Sequence, residues 1–529
     1  MLPTTSGASS HTVVLPNEEA MHRLVMDIAV ALEPGDLITL SGDLGAGKTT
    51  FARALIRHLS GDPTIEVPSP SFTLIQTYDL PRFPVVHADL YRVSGTSELA
   101  ELGFEDLPAG AVTLLEWPDR AAGFLPSDRL DVAFTLAPQV GPEHRNVRIT
   151  GYGTFGPRAE RLAAVRKFLD ESDYAEAERE RIAGDASARS YERLTLGRRQ
   201  VILMNSPRRP DGPPVRNGLP YSAIAHLAED VKPFVALAYG LKERGFSAPE
   251  IYAADLDAGF LILEDLGSEG MVEGDPPEPL GHRYRTAVDM LMALHRLPLP
   301  DTLPVPPGLT HRIPPYDLDA LLIEAELLPE WYLPYREAPA TAAAHETYLA
   351  LWRDALVPVL DVRPTWVLRD FHSPNLLWLP GRPEIARVGL LDFQDAVMGP
   401  AAYDLASLLQ DARIDVPEEM EIELLGRYVR ARREAEAEFD IPGFVKIYST
   451  LAAQRASKIL GIFARLDRRD GKPQYLRHLP RVWNYLQRSL SHPALARLDA
   501  WYQEYVPPPE GVGDGTPTEP AEQPSEEPR

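Results

Sequence analysis

Apolar residues recur at helical spacing from Glu18 to Leu32, where Met21, Leu24, Val25, Ile28, Ala29 and Leu32 share one face. A short apolar run, Asp36 to Leu40, reads as a buried strand, and Thr50 to Leu59 returns to helical spacing. From Val67 to Asp79 prolines give way to Phe72, Leu74 and Tyr78 at even spacings, the pattern of a loop feeding a strand. Pro84 to Arg92 and Val112 to Leu115 are further strands, and they carry Asp89 and Glu116 at their ends. Arg161 to Leu169 is helical in spacing. Tyr191–Leu196 and Gln200–Met204 alternate as strands do, and Phe260 to Gly267 is an apolar strand that breaks into Glu264-Asp265-Leu266-Gly267. Val388 onward reads as a buried strand, Glu418 to Ala437 as a charged amphipathic helix, and Tyr448 to Leu466 as a better-buried one.

The punctuation divides this series. A chain of 529 residues is too long for one ordinary domain. GYGTFGP, residues 151–157, is a turn-rich joint that leads us to expect a short linker and freedom between two halves. The expected organisation is a flexible end over 1–11, one domain over 12–154, a second over 155–506, and a disordered Pro/Glu-rich tail over 507–529.

Between the first strand and the helix that follows lies GDLGAGKTT, which fits G-x-x-x-x-G-K-[ST]. Gly42, Asp43, Leu44, Gly45, Ala46, Gly47, Lys48, Thr49 and Thr50 are therefore candidate ATP-binding residues. Glycines let backbone N–H groups turn onto phosphate oxygens, and the helix N-terminus adds positive potential. Lys48 is placed to neutralise the β/γ-phosphates and Thr49 to offer a hydroxyl to Mg²⁺. Asp89, at the end of a neighbouring strand, suits a role beside Mg²⁺ or the attacking water.

Composition narrows the partners. The formal net charge of −24 argues against non-specific binding to nucleic acid or anionic membrane. The first 150 residues share the bias, with 10 basic against 19 acidic side chains. If the protein serves an RNA, the expectation is that a basic partner holds it. The absence of cysteine excludes disulfides and thiolate chemistry. The N-terminal residues lack a signal-peptide pattern, and no run approaches a membrane span, so a soluble cytoplasmic protein is expected.

SPSFTLIQTY (69–78), HADLYR (87–92), ELAELGFEDL (98–107) and LLEWPDR (114–120) follow the P-loop in the order seen in the TsaE family, the ATPases of bacterial threonylcarbamoyladenosine formation in tRNA. Over residues 12–150 the chain resembles that family. The resemblance implies an α/β P-loop NTPase domain, Thr49 and Glu116 as Mg²⁺ ligands, and Asp89 as the residue needed for hydrolysis. It implies TsaD/TsaB-type subunits of the threonylcarbamoyl transferase complex as partners, with tRNA reached only through them. Ser71 stands where the family commonly has Thr, which retains the hydroxyl.

The second half has its own phosphate chemistry. IAGDASARSY, residues 182–191, is a small-residue stretch placing Ser187 where a loop can fold over phosphates, and Glu264 and Leu266 lie in a segment suited to pair with adenine. WVLRDFHSPNLL, residues 366–377, sets Asp370 and Asn375 in the spacing D-x-x-x-x-N, and VGLLDFQDA, residues 388–396, ends in Asp392 and Asp395. Phosphoryl transfer to an alcohol needs a base and oxygen ligands for Mg²⁺; Asp370 suits the first, Asn375 and Asp392 the second. GDASARSY, VILMNSP, LPEWYL and LDFQDAVMGPAAYDLASLLQDAR add to a resemblance, over residues 158–505, to the α+β protein-kinase-like aminoglycoside phosphotransferase fold, and within it to the AmgK group. That implies transfer of the ATP γ-phosphate to the C1 hydroxyl of N-acetylmuramate or N-acetylglucosamine in cell-wall recycling. Asp395 or Asp404 would contact the sugar or brace the loop. Leu368 replaces the usual His of the catalytic loop, and Met204 the usual ATP-pairing Lys, with Arg189 a candidate cation by position only. Two alternatives stay open: another alcohol acceptor such as an aminoglycoside or choline, or a pseudokinase regulating the tRNA-modifying complex.

Overall fold

The computed structural model describes residues 8–93, 108–121, 123, 125–182, 189–209 and 212–510. The chain falls into two compact units, one of residues 1–207 with 252–265 and the other of 208–251 with 266–529.

In the first unit the N-terminal pattern folds as read. Strand β1 (Ser9–Leu15) leads to α1 (Glu18–Ala31), whose start is fixed by Asn17, the side chain of which accepts a hydrogen bond from Ala20 N at 3.0 Å. The six residues expected on one apolar face are all buried. β2 (Leu37–Ser41), α2 (Lys48–Ser60), β3 (Ile75–Tyr78), β4 (Val85–Asp89), β5 (Val112–Glu116), β6 (Arg129–Leu136) and β7 (Arg145–Tyr152) complete a seven-stranded sheet of order β1-β7-β6-β2-β5-β4-β3. Its centre is parallel, β2 with β5 and β6 and β4 with β5, and β2, β4 and β5 are largely or wholly buried, as a sheet covered on both faces requires. The alternation expected from Phe72 begins later, at Ile75; Phe72 is exposed and Leu74 takes a positive φ of 65°.

The joint expected at 151–157 is a packed corner. Gly151 lies in β7, where a Cβ would stand 2.3 Å from Phe155 O, so this glycine serves close backbone approach. After a turn at Gly153 (φ 58°), helix α3 (Phe155–Glu171) begins at once. Its first turns place Phe155 and Ala159 in the core of the seven-stranded sheet. Its last turns place Val165, Phe168 and Leu169 in a second core with Leu194, Val201, Leu203, Phe260 and Ile262. That second core belongs to a five-stranded sheet of order β11-β12-β10-β9-β8, made of β8 (Glu178–Ile182), β9 (Ser190–Leu196), β10 (Arg199–Asn205), β11 (Ile251–Asp255) and β12 (Phe260–Glu264). One helix thus fills two cores.

A charged seam runs beside it. Arg166 of α3 donates to both oxygens of Asp27 on α1, at 2.9 and 2.6 Å. Arg179 of β8, almost wholly buried, donates to the same Asp27 and makes a two-pronged pair with Glu192 of β9 at 2.7 and 2.9 Å. Arg158 grips Asp36 with two bonds, at 2.9 and 2.6 Å. Buried charges of this kind persist only when paired and hydrogen-bonded.

The second unit is mostly helical: α4 (Lys232–Glu243), α5 (Gly281–Arg296), α6 (Leu318–Ala325), α7 (Ala342–Leu356), α8 (Ala402–Leu409), α9 (Glu418–Ala435), α10 (Ile441–Asp470), α11 (Leu479–Leu490) and α12 (Ala496–Tyr505). Among several short antiparallel pairs, two position the site: β13 (Thr365–Val367) with β16 (Val397–Gly399), and β14 (Leu376–Trp378) with β15 (Val388–Leu390). The chain enters loop 368–375 from β13 and leaves through β14; it enters loop 391–396 from β15 and leaves through β16. The pairings therefore bring these two loops side by side. Among the described residues no helix is long and apolar enough to cross a membrane.

Candidate active sites

The P-loop is built by backbone conformations that its glycines allow. Gly42 has φ 132° and a Cβ there would lie 2.3 Å from Phe134 O; Gly45 and Gly47 stand at φ 78° and 115°. Lys48, with 4% of its surface exposed, folds back so that Nζ donates to Gly42 O at 2.7 Å and Asp43 O at 2.9 Å. It also lies 3.8 Å from the ring centroid of Trp117. Burial lowers its pKa, against the pull of Glu116, Asp89 and Asp43. A cation resting on carbonyl oxygens inside an N–H-lined loop fits a phosphate as its alternative partner. Leu44, by contrast, is 76% exposed, and Asp43 and Gly45 are exposed with it.

Two carboxylates face this loop because β4 and β5 are parallel neighbours with Asp89 opposite Glu116. Thr49 Oγ1 donates to Glu116 Oε2 at 3.0 Å, while Glu116 Oε1 lies 3.0 Å from Nε2 of the fully buried His87. Asp89 accepts from Tyr91 N at 2.9 Å and Ser69 Oγ at 3.4 Å. Hydroxyl and carboxylate oxygens already within bonding distance form a donor set that suits Mg²⁺. The structure brings together Lys48, Thr49, Asp89 and Glu116 and adds His87 and Trp117, which sequence reasoning quoted within motifs without assigning them work. Residues 98–107 lie outside the described residues.

In the second unit the catalytic-type loop is held from beneath. Asp404, on α8, is fully buried; Leu368 N and Arg369 N donate to its two oxygens at 2.7 and 2.9 Å. Burial pushes its pKa up to about 7, opposed by these two bonds. Arg369 adopts a positive φ of 66° and Asp392 one of 55°, conformations that cost non-glycine residues energy and need such bracing. Between the two candidate roles, sugar contact or loop brace, the geometry of Asp404 is that of a brace. Asp411 holds the other end of the loop, accepting from Ser373 N at 2.9 Å and Ser373 Oγ at 2.6 Å. No short-range pattern singles that residue out.

Asp370, Asn375 and Asp392 come together half-buried. Asn375 Nδ2 donates to Asp370 O at 3.0 Å, and Leu391 N donates to Asn375 O at 2.9 Å, which sets Asp392 beside the asparagine. Gln394 Nε2 donates to Asp392 Oδ1 at 2.9 Å, and Phe393 stacks on Phe234 of α4, centroids 4.8 Å apart. Asp395 is turned toward the backbone, where Ala228 N donates to its Oδ1 at 2.6 Å. The oxygens of Asn375 and Asp392 again suit a divalent cation, with Asp370 left to meet a hydroxyl. Among the remaining candidates, Glu264 ends β12 opposite Val201 and Leu266 is buried. Ser187 lies outside the described residues. Met204 is buried in β10, between Tyr191 and Leu261.

The two folds and their loops define a P-loop nucleotide-hydrolysing module followed by a kinase-like phosphotransferase. Comparison with known proteins gives both halves a family. The model of the threonylcarbamoyl adenosine biosynthesis protein TsaE matches residues 15–146, and that of the phosphotransferase enzyme family matches residues 178–440. The N-acetylmuramate/N-acetylglucosamine kinase of Caulobacter vibrioides is 41% identical over 362 residues, 66% of this chain and 98% of that protein. The tRNA threonylcarbamoyladenosine biosynthesis protein TsaE of Rickettsia bellii is 38% identical over 123 residues, 23% of this chain and 85% of that protein. The solved structure of Bacillus subtilis YdiB, 28% identical, covers 30% of this chain and 99% of its own, with a TM-score of 0.24. The chain belongs to the TsaE family through its N-terminal part and to the N-acetylmuramate/N-acetylglucosamine kinase family through its C-terminal part. Both are families that use ATP.

Proposed function

We propose that the protein is bifunctional: an ATPase serving threonylcarbamoyladenosine formation in tRNA, joined to a kinase that phosphorylates N-acetylmuramate and N-acetylglucosamine at the anomeric hydroxyl. The observation that carries the second activity is the convergence of Asp370, Asn375 and Asp392 in a chain that spans 98% of a kinase of those sugars. The first rests on Lys48, Thr49, Asp89 and Glu116 meeting at the P-loop.

In the kinase, Asp370 accepts the proton of the sugar hydroxyl as its oxygen forms a bond to the γ-phosphorus; the bond from that phosphorus to the β,γ-bridging oxygen breaks, and ADP leaves. Asn375 and Asp392 would hold Mg²⁺, which when bound neutralises charge on the phosphates. Asp404 and Gln394 orient these groups. In the ATPase, Lys48 meets the β/γ-phosphates, Thr49 and Glu116 would hold Mg²⁺, and Asp89 supports the attack of water. The activities divide near residue 155 in sequence, 12–154 and 155–506. TsaD/TsaB-type subunits would be the ATPase's partners, in the cytoplasm, with tRNA bound by them.

The test is phosphorus NMR of the full chain with Mg-ATP and a panel of N-acetylmuramate, N-acetylglucosamine, an aminoglycoside and choline. An α-anomeric sugar phosphate is expected from the first two. Asp370→Asn should abolish that product and spare ATP hydrolysis at the P-loop, and Lys48→Ala should do the reverse. Product from the aminoglycoside or choline alone would move the acceptor assignment, and no product from any acceptor would favour a regulatory pseudokinase.

A further inference from the structure

Helix α10 carries two cations on one face, and among the described residues only one of them has a hydrogen-bonding partner. Gly461 sets the face: a Cβ there would stand 2.3 Å from Leu327 C and O, so this side of α10 lies tight against residues 327–332. Lys458 and Arg465, three residues before and four after, share the face by helical periodicity.

Lys458 is fully accounted for. Its Nζ donates to Glu324 Oε1 at 2.8 Å, and Glu324, completely buried, also takes bonds from Arg369, Tyr316 and Gln454. Burial alone would raise the pKa of Glu324, but Lys458 and Arg369 hold it at about 2. Because Arg369 directly precedes Asp370, this cluster is the floor under the candidate base. The charge of Asp370 reaches Lys458 as well.

Arg465 differs. Among the described residues no carboxylate pairs with it and no acceptor takes any of its N–H groups; its Nε is buried and unpartnered. The guanidinium lies 5.4 Å from the ring centroid of Tyr221, a phenol whose surroundings include the charges of Glu324, Lys458, Arg465 and Arg369. Burial lowers the pKa of Arg465, against the partial pull of Tyr221, Asp470 and Glu330, none of which bonds to it among the described residues. Seven residues of helix separate it from Lys458, about 10 Å of rise, a span two long side chains shorten. A guanidinium with no hydrogen-bond acceptor among the described residues, next to a phenol that feels the charges of Glu324, Lys458 and Arg369, can take an anion as its partner.

We infer that Arg465 is the specificity residue that reads the carboxylate of the acidic substrate. This rests on the sugar-kinase reading above. The two sugars differ chemically in one respect that a guanidinium can sense: N-acetylmuramate carries a lactyl ether ending in a carboxylate, and N-acetylglucosamine carries a hydroxyl there. The planar fork of arginine matches a carboxylate with two parallel bonds, and stacking on Tyr221 keeps the fork oriented. Arg465 thereby selects for the acidic sugar without touching the reacting atoms.

The experiment compares initial rates for the two sugars in the full-length wild type, Arg465→Gln and Arg465→Lys, by ADP release. In Arg465→Gln, kcat/KM for N-acetylmuramate should fall about 10- to 100-fold, mainly through KM, the range lost with a charge-assisted hydrogen-bonded pair. N-acetylglucosamine should stay within about twofold, which also reports that the variant folds. Arg465→Lys should recover part of the loss. An equal fall on both sugars, or no change on either, overturns the assignment. A wild type that phosphorylates neither sugar overturns the function reading itself, and that outcome is visible before any variant is made.

Discussion

Asp404→Ala separates what holds the fold from what aims Asp370, the proposed base. The carboxyl is wholly buried and its pKa stands near 7, some three units above an ordinary aspartate. At about 1.4 kcal/mol per unit, keeping it ionised at pH 8 costs the native state about 4 kcal/mol, net of its two backbone bonds. Replacing it with alanine removes that cost, and the loss of the bonds from Leu368 N and Arg369 N is already counted in the net figure, so no large loss of global stability is expected. The loop that carries Asp370 gains nothing from this. Arg369 loses the clamp that keeps it at φ 66°, and the residue that moves with it is Asp370. A displacement of about 1 Å at a base costs on the order of 100-fold in rate. The assay is kcat for N-acetylglucosamine phosphorylation beside a thermal melt, both at pH 8. A kcat within about threefold of wild type in a folded variant would refute the bracing argument. So would a melt so depressed that the rate loss reflects unfolding.

Three further outcomes follow from the packing and the charges. Asp27→Ala leaves Arg166 and Arg179 facing each other without their shared carboxylate and should cost about 3–5 kcal/mol in urea unfolding; a loss under about 1 kcal/mol would mean the seam is not load-sharing. Gly42→Ala drives a methyl against Phe134 O and should remove one of the two sites that a fluorescent ATP analogue titrates in the wild type, and two sites retained would refute it. His295 is buried against Tyr428, and burial lowers its pKa to about 3. Its native pKa lies below the unfolded value of about 6.5, so its contribution is complete above pH 6.5 and is lost as pH falls toward 3. His295→Gln should flatten the acid limb of the stability profile between those values; an unchanged slope would contradict the assignment.

Where the information was local, the sequence was enough. The P-loop, the D-x-x-x-x-N loop and the acid-terminated strands are each fixed by a few neighbouring residues, and the topology brings them where the chemistry requires. The pairing of Asp27 with Arg179 spans 152 residues and leaves no local trace. Asp404 and Asp411 act on a loop more than thirty residues upstream; bracing was one of two roles open to Asp404 in the sequence, and the choice between them, like the whole role of Asp411, appears only once α8 is placed. The glycine-rich joint misled for a definite reason. Gly151 is needed for contact and Gly153 for a turn, and composition does not distinguish these uses from looseness. Arg465 was invisible in a helix rich in arginine, because what marks it is the absence of a hydrogen-bond acceptor among the described residues.

The two matched family ranges end at residue 146 and resume at 178, and helix α3 occupies most of the interval. The segment that neither family model spans is thus packed into both cores. A gene cut at the apparent seam would give an ATPase fragment without Phe155 and Ala159 in its core, while a kinase fragment begun at 178 would lack Val165, Phe168 and Leu169 under its sheet. Either piece would carry a sticky apolar scar where α3 had been. Because this one helix is shared by two cores, the two halves are expected to fold and melt together rather than one after the other.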